Sequence, residues 1–293
     1  MEKQRLYESR RHGTSYFPME FFEIYNEGGQ HYVNLHWHRN IEILLIHSGF
    51  CSVTVNRNEY AAKSGDIFII NQEELHLIAS NDRDMSYGAF IFPLSSLSFA
   101  HEDNAERSLD KLLNGQMLFP EFISCNDELG DELRSILDDI LAVEGAHFSG
   151  YELYIKSQLI KFVAVMMKNN RLIKAASITA ENSVRKNERL KQILTYINEN
   201  CSSNLTLSVM AEKFHISEKY FSRYFITESG QSFTEYLNRC RIEKACKLLS
   251  ETEMSVLDTA FESGFENISY FIRTFRKHEG CTPLKYRKSM MSK

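Results

Sequence analysis

The sequence predicts an α+β chain with three parts. An N-terminal antiparallel β-barrel or sandwich is followed by a helical middle segment and an all-α C-terminal third. Three observations carry this reading. Short apolar runs broken by turn residues fill residues 20–95, helical spacing of apolar residues begins near Ser96, and one pattern in the last third recurs after a step of 50 residues. The expected boundaries are 1–100, 101–182 and 183–293.

The β part comes first. Apolar runs lie at Phe21–Tyr25, Tyr32–Leu35, Ile41–Ile46, Cys51–Val55, Ile67–Ile70 and Tyr87–Phe92. Gly28-Gly29, Ser48-Gly49, Asn56-Arg57-Asn58 and Ser64-Gly65-Asp66 separate them. Many short strands at this spacing pack as a small barrel or sandwich. Within it His36, His38 and Glu42 share even parity, so on one unbulged extended strand they would point to one face. Turned inward, they would meet His76.

Helical spacing follows. Leu129, Leu133, Ile136, Leu137, Ile140 and Leu141 form one stripe, with acidic residues opposite. Tyr151 to Lys168 is apolar over more than half its circumference, so more than one neighbour must cover it. Packing on the barrel and pairing with a second chain both satisfy that demand. Residues 174–186, alternating polar and small side chains, read as a linker.

The last third holds the repeat. Arg223, Phe225, Gly230, Ser232 and Tyr236 match Arg273, Phe275, Gly280, Thr282 and Tyr286 at the fixed offset. A period of that size is one supersecondary unit used twice. Leu207, Met210, Ala211 and Phe214 begin the first unit, Ser217 caps its second helix, and Phe221 and Phe225 anchor it. Val256, Leu257, Ala260 and Phe261, the Gly264-Phe265 turn, the Asn267 cap, and Phe271 with Phe275 repeat the plan. Lys219, Ser222 and Arg223 then face outward in one unit, and Ser269, Tyr270 and Arg273 in the other. Ile268 either joins them or seals the core. Glu235 to Leu249 reads as a helical spacer of about 20 Å at 1.5 Å per residue.

Charge divides unevenly along the chain. From Val184 onward 18 Lys+Arg face 13 Asp+Glu, a net of +5. That leaves 16 of the 34 basic and 26 of the 39 acidic residues elsewhere, a net of −10. The overall −5 hides a basic C-terminal third, as phosphate binding requires. Two helices held by a stiff spacer could enter neighbouring major-groove segments of double-stranded DNA, about 34 Å apart on a straight duplex.

Other classes find less support. No apolar run approaches the roughly 18 residues of a membrane span. The first eight residues lack the apolar core of a signal peptide. The six cysteines are scattered without a Cys-x-x-Cys pair and read as reduced thiols of a cytoplasmic protein. There is no Ser-His-Asp set, phosphate loop or pair of catalytic carboxylates.

Phe221-Ser222-Arg223-Tyr224-Phe225 with Gly230-Gln231-Ser232-Phe233, and Gly264 to Phe271 running on to Gly280-Cys281-Thr282-Pro283, resemble the DNA-binding domain of AraC/XylS transcription regulators. The resemblance implies a transcription regulator, not an enzyme, with Arg223 and Arg273 as the foremost DNA contacts. Lys219, Ser222, Ile268, Ser269 and Tyr270 would stand beside them. It also implies an effector domain, a homodimer and activation, and it allows contact with RNA polymerase.

His36-Trp37-His38, Glu42 and Gly49 are similar to the first cupin motif, and Gly65 with His76 to the second. Asn71 and Glu73 replace that motif's proline and second glycine. Imidazole and carboxylate together suit Zn, Fe, Ni or Mn, and a metal-dependent cupin enzyme carrying a DNA-binding tail is the alternative. The family resemblance favours a metal-free pocket in which His36, His38, Glu42 and His76 bond a small polar effector, such as a sugar.

Overall fold

The computed structural model describes residues 14–291 apart from 15, 27–30, 100–102, 144, 147 and 176–180, and the side chains of 181–187 and 289–291 are likewise left aside. The expected Gly28-Gly29 turn and the N-terminal eight residues lie outside the described residues. The described residues fall into two compact units, residues 14–32 with Trp37–Val184, and Val33–His36 with Arg185–Lys293.

In the β part, strands β1 (Glu20–Tyr25), β2 (His31–His36), β3 (Ile41–Ser48) and β4 (Phe50–Val55) precede β5 (Asn58–Lys63), β6 (Ile67–Ile70), β7 (His76–Ser80) and β8 (Ser86–Phe92). Helix α1 (Asn104–Leu113), strands β9 (Met117–Leu118) and β10 (Phe122–Ile123), helices α2 (Gly130–Leu141) and α3 (Tyr151–Lys168), and strand β11 (Ile173–Lys174) complete it. One sheet runs β1-β8-β3-β6-β10 and the other β2-β7-β4-β5, with β9 paired to β11. Strand β4 shows why a half-buried strand alternates: Cys51, Val53 and Val55 are buried, whereas Phe50, Ser52 and Thr54 are not.

Strand β3 is buried from Ile41 to Ile46 because both of its faces are covered. Its odd residues Ile41, Ile43 and Leu45 join Ile67, Ile69, Phe90 and Phe92 in a core with Leu133, Ile136, Leu137 and Ile140 of α2 and Leu159, Phe162 and Met166 of α3. Its register sets Ile43 opposite Ile69 on β6 and Phe90 on β8. Residues 20–97 and 109–167 therefore contribute to one core. The even residue Glu42 belongs to the opposite face.

Several expectations need correction here. The middle segment is not purely helical, since β10 joins the barrel sheet through Phe122 opposite Phe68. His36, His38 and Glu42 do not share a strand: His36 ends β2, His38 lies in the connection, and Glu42 sits on β3. The expected linker is shortened from both ends, by β11 at residue 174 and by a helix beginning at Glu181. Its centre, 176–180, lies outside the described residues.

The second unit contains α4 (Glu181–Asn200), α5 (Leu207–Lys213), α6 (Glu218–Ser229), α7 (Phe233–Glu251), α8 (Val256–Glu262), α9 (Ile268–Glu279) and α10 (Pro283–Met291). Each start has a chemical reason. Ser217 accepts from Tyr220 N, Asn267 from Tyr270 N, and Ser232 forms a capping box with Glu235. The 50-residue repeat holds in the packing. Phe225 meets Tyr236 at 5.4 Å between ring centroids, and Phe275 meets Tyr286 at 5.6 Å. The pairs Phe221–Phe225 and Phe271–Phe275 lie at 5.8 and 5.6 Å. Helix α7 is longer than the expected Glu235–Leu249, at 19 residues, or about 28 Å.

One apolar expectation fails. Leu257 and Phe261 are 48% and 53% exposed, whereas Ala260 between them is buried. The first helices of the two units are offset by 49 residues, from caps Thr206 and Ser255, so buried Ala260 stands where the first unit has buried Ala211, and Phe261 takes the place of exposed Glu212.

The turn at Gly264 gives a sharp test. Its φ is +94°, and a Cβ there would lie 2.7 Å from Ser202 Cα and 2.8 Å from Cys201 O. Both are backbone atoms and cannot step aside. Gly264→Ala is expected to cost about 2–5 kcal/mol from the left-handed conformation and the overlap together. Gly230→Ala is the control, with φ +72° and nothing within 4 Å, and should cost about 1 kcal/mol. Urea unfolding of the two variants measures the difference.

Candidate functional sites

Helix α9 presents one polar face. Ser269, Ile272, Arg273, Arg276 and Lys277 line an open depression on it. The Arg273 guanidinium lies 5.5 Å above the Tyr270 ring, a cation–π arrangement. Tyr270 is itself held, because Asn238 Nδ2 on α7 donates to its hydroxyl at 2.6 Å. Ser269 and Arg273 are exposed. Ile268 is half-buried and packs against the core of Ile242, Leu249, Phe271 and Phe275.

Helix α6 repeats the arrangement. Lys219 and Arg223 are exposed and Ser222 is half-buried, while Phe221 and Phe225 are fully buried beneath them. Tyr220 and Tyr224 stack at 6.1 Å with 13° between their planes, and the Arg189 guanidinium lies 5.7 Å above Tyr224. Sequence reasoning missed Arg189, Tyr220, Arg276 and Lys277. The spacing of Arg276 and Lys277, three and four residues after Arg273, marks the same helical face.

The barrel holds the second site. His36, His38, Glu42 and His76 are all buried, and one ligand-type atom from each lies within 4.8 Å of the others. His38 Nε2 and His76 Nε2 stand 3.0 and 2.9 Å from Glu42 Oε2. Each ring is fixed from behind by a backbone carbonyl. His36 Nδ1 faces Asn34 O at 2.9 Å, His38 Nδ1 faces Asn40 O at 3.1 Å, and His76 Nδ1 faces Glu74 O at 2.9 Å. Burial alone would raise the Glu42 carboxyl, but hydrogen bonds from His38 and His76 and their charge hold it well below its ordinary value. Burial alone would lower His76, and the Glu42 carboxylate overrides it and raises this imidazole.

A separate cavity of about 380 Å³ opens in the same unit, lined by Arg39, Ile41, Asn71, Gln72, Glu73 and Phe119 among others. An Arg39–Glu73 ion pair of 3.7 Å lies on it, with both side chains substantially exposed.

Comparison with known proteins follows this division. The AraC-like ligand binding domain matches residues 20–163, and a helix-turn-helix domain matches residues 210–289. The chain belongs to the AraC family. It is a DNA-binding transcription regulator with a ligand-binding domain.

Relatives of this AraC-family regulator match along nearly its whole length. An uncharacterised helix-turn-helix transcriptional regulator of Bacillus subtilis, YdeC, is 26% identical over 97% of each chain. The melibiose operon regulatory protein of Escherichia coli is 26% identical over 86% of this chain and 83% of its own. Among solved structures, an apo ToxT variant from Vibrio cholerae covers 95% of this chain and 98% of its own, at 17% identity and a TM-score of 0.49. Among the described residues, no helix is long and apolar enough to cross a membrane, and all six cysteines are free thiols.

Proposed function

We propose that this AraC-family regulator is a cytoplasmic, effector-responsive activator that binds DNA as a homodimer and carries out no catalytic step. The observation that carries the reading is the twin set of polar helix faces on α6 and α9, each backed by a fully buried phenylalanine pair. Arg223 and Arg273 contact base edges or phosphates. Lys219, Ser222, Ser269 and Tyr270 flank them, and Ile268 serves the core beneath.

The effector belongs to the N-terminal unit. His36, His38, Glu42 and His76 are at most 3% exposed, which leaves a sugar no path to them in this conformation. The 380 Å³ cavity suits a small polar molecule better, with Arg39, Asn71, Gln72 and Glu73 to orient it and apolar walls behind. The effector must bind one arrangement of the barrel and its helices better than another, otherwise no signal passes. Helix α3 leaves Leu153 73% exposed, an apolar contribution to pairing between copies. Any contact with RNA polymerase follows DNA binding.

The test is a binding selection on genomic fragments, run with and without candidate sugars. Melibiose is the first to try, because a relative similar over most of the chain is named for the melibiose operon. Enrichment of a defined site is the expected result, with occupancy that changes when the right sugar is present. Recovery of random fragments would overturn sequence-specific binding. An enriched site indifferent to every small molecule would overturn the effector.

A further inference from the structure

We infer that the cavity of about 380 Å³ takes a zwitterion, an α-amino acid with an apolar side chain, held between Arg39 and Glu73. The inference rests on the reading that the effector enters this cavity, and it names the effector's chemical class. Two features of the rim and one of the floor carry it.

The first is a pair of opposite charges that hold each other loosely. Arg39 Nε and Glu73 Oε1 stand 3.7 Å apart, with their side chains 74% and 48% exposed. A pair this long and this wet contributes about 0–1 kcal/mol, so a ligand opens it at little loss. A carboxylate then meets the guanidinium in bidentate fashion, and an ammonium meets the Glu73 carboxylate, both as shorter charge-assisted bonds. A zwitterion thus gives each charge a better partner than the one it leaves. A simple anion would gain Arg39 but face Glu73, and a simple cation would gain Glu73 but face Arg39. A neutral sugar would bring no charge to either.

The second is the backbone that carries Glu73. Its φ is +64°, a left-handed conformation that costs a residue with a Cβ about 1–2 kcal/mol and glycine little. The turn is nonetheless fixed. Glu73 N donates to His38 O at 2.7 Å, Glu74 N to Asn71 O at 3.2 Å, and Gln72 Nε2 to Arg39 O at 3.0 Å. These bonds lace the turn between β6 and β7 to the connection leading into β3, so the two charged side chains spring from backbones held at a set distance. Strain of this kind persists where the surroundings enforce it, and it gathers at ligand clamps.

The third is the floor. Ile41, Leu94, Leu112 and Phe119 line the cavity and are 1–3% exposed. Apolar walls beneath a charged rim match a molecule with a charged head and an apolar side chain. The volume is near the lower end of ligand pockets, about 300–1,000 Å³, which suits a single amino acid. Ile41 belongs to β3 and Leu112 to α1. A ligand seated there touches barrel and helix together, so it can favour one arrangement of the two.

The experiment uses the full chain, with calorimetric titration and thermal melting. The probes are free L-valine, L-leucine, L-isoleucine, L-methionine and L-phenylalanine, with melibiose as the neutral sugar. For the best binder, the amine lacking its carboxylate and the acid lacking its amino group are added. At least one amino acid is expected to bind and raise the melting temperature, with its amine and its acid each weaker by about tenfold or more. Arg39→Gln and Glu73→Gln should each weaken the amino acid by about tenfold or more, with circular dichroism confirming the fold. Glu73→Gln should also narrow the gap between the amino acid and its desamino acid, because the repulsion of a lone carboxylate is gone. Glu73→Gly should lose binding yet melt, without ligand, no lower than the parent, which a merely structural role for the carboxylate would not allow. Binding by none of the five amino acids would overturn the inference, as would equal binding of amine, acid and amino acid or parent-like affinity in Glu73→Gln. Melibiose bound in their place, with a change in DNA occupancy, would overturn the zwitterion and leave the effector reading standing. An amino acid that binds with the expected dependences but leaves DNA occupancy unchanged would keep the site and fail the effector reading alone.

Discussion

Arg273→Ala is expected to weaken binding to the selected DNA site by about 1–3 kcal/mol, or about 5–150-fold. The expectation rests on how this side chain is held. Arg273 is exposed on α9, its guanidinium lies over the Tyr270 ring, and Asn238 of α7 anchors that ring through its hydroxyl. A cation laid on a fixed platform loses less side-chain freedom on binding than one swinging in water. The pattern of loss distinguishes two roles. Bidentate contact with a guanine predicts relaxed preference at one base pair, and Arg273→Lys should fail to restore it because the ammonium lacks the planar fork. Contact with phosphate predicts uniform weakening across sequences and a salt dependence shallower by about one counterion. Arg276→Ala and Lys277→Ala should show the second pattern. Gel-shift or fluorescence-anisotropy titrations at several salt concentrations separate the two. Parent-like affinity in Arg273→Ala would remove α9 as a reading helix.

Period was the most legible property of this chain, and elements without it were the ones missed. The 50-residue step predicted two helices of equal length, 218–229 and 268–279, with matching caps and matching aromatic pairs. Strand β5, Asn-Glu-Tyr-Ala-Ala-Lys, carries no apolar alternation because it lies at a sheet edge with only Ala62 fully buried. Helix α1 buries only Leu109 and Leu112, too few for a stripe to stand out. The convergence of His36, His38 and Glu42 was anticipated through strand parity, yet the chain achieves it otherwise. It leaves β2 at His36, turns through Arg39 and Asn40, and re-enters a different sheet at Ile41. Parity describes a single strand and carries no information across such a turn. Arg189 was invisible because its partner Tyr224 is brought to it by tertiary packing, whereas Tyr220, four residues before Tyr224 on α6, carried a spacing signal that could have marked it. Leu257 and Phe261 mislead for a different reason. Helical spacing marks them as core residues, but this helix is offset from its counterpart by 49 residues, not 50, and Phe261 falls where the first unit has exposed Glu212.

Phe275→Ala and Phe225→Ala should each destabilise the C-terminal unit by about 3–5 kcal/mol, the range for removing a fully buried phenylalanine. Both rings are 0% exposed, and each is enclosed by aromatic neighbours of the same kind. Phe225 packs against Phe221, Phe233 and Tyr236, and Phe275 against Phe271 and Tyr286. Truncation leaves a cavity between rigid rings that cannot collapse into it, so the loss should lie well above that of an isolated methylene. Helix α7 decides how the two losses combine. It contributes Phe233 and Tyr236 to the first core and Ile242, Ala245, Cys246 and Leu249 to the second. One continuous helix shared by both cores makes their unfolding cooperative. Urea titration of either single variant should therefore move one transition to lower denaturant with little change of slope. The double variant would lose about 6–10 kcal/mol, comparable with the whole stability of an ordinary domain, and should have no folded baseline at 25 °C. Two separate transitions in a single variant would instead show that α7 breaks between the cores, and that the two helix-turn-helix units are not held at a fixed spacing.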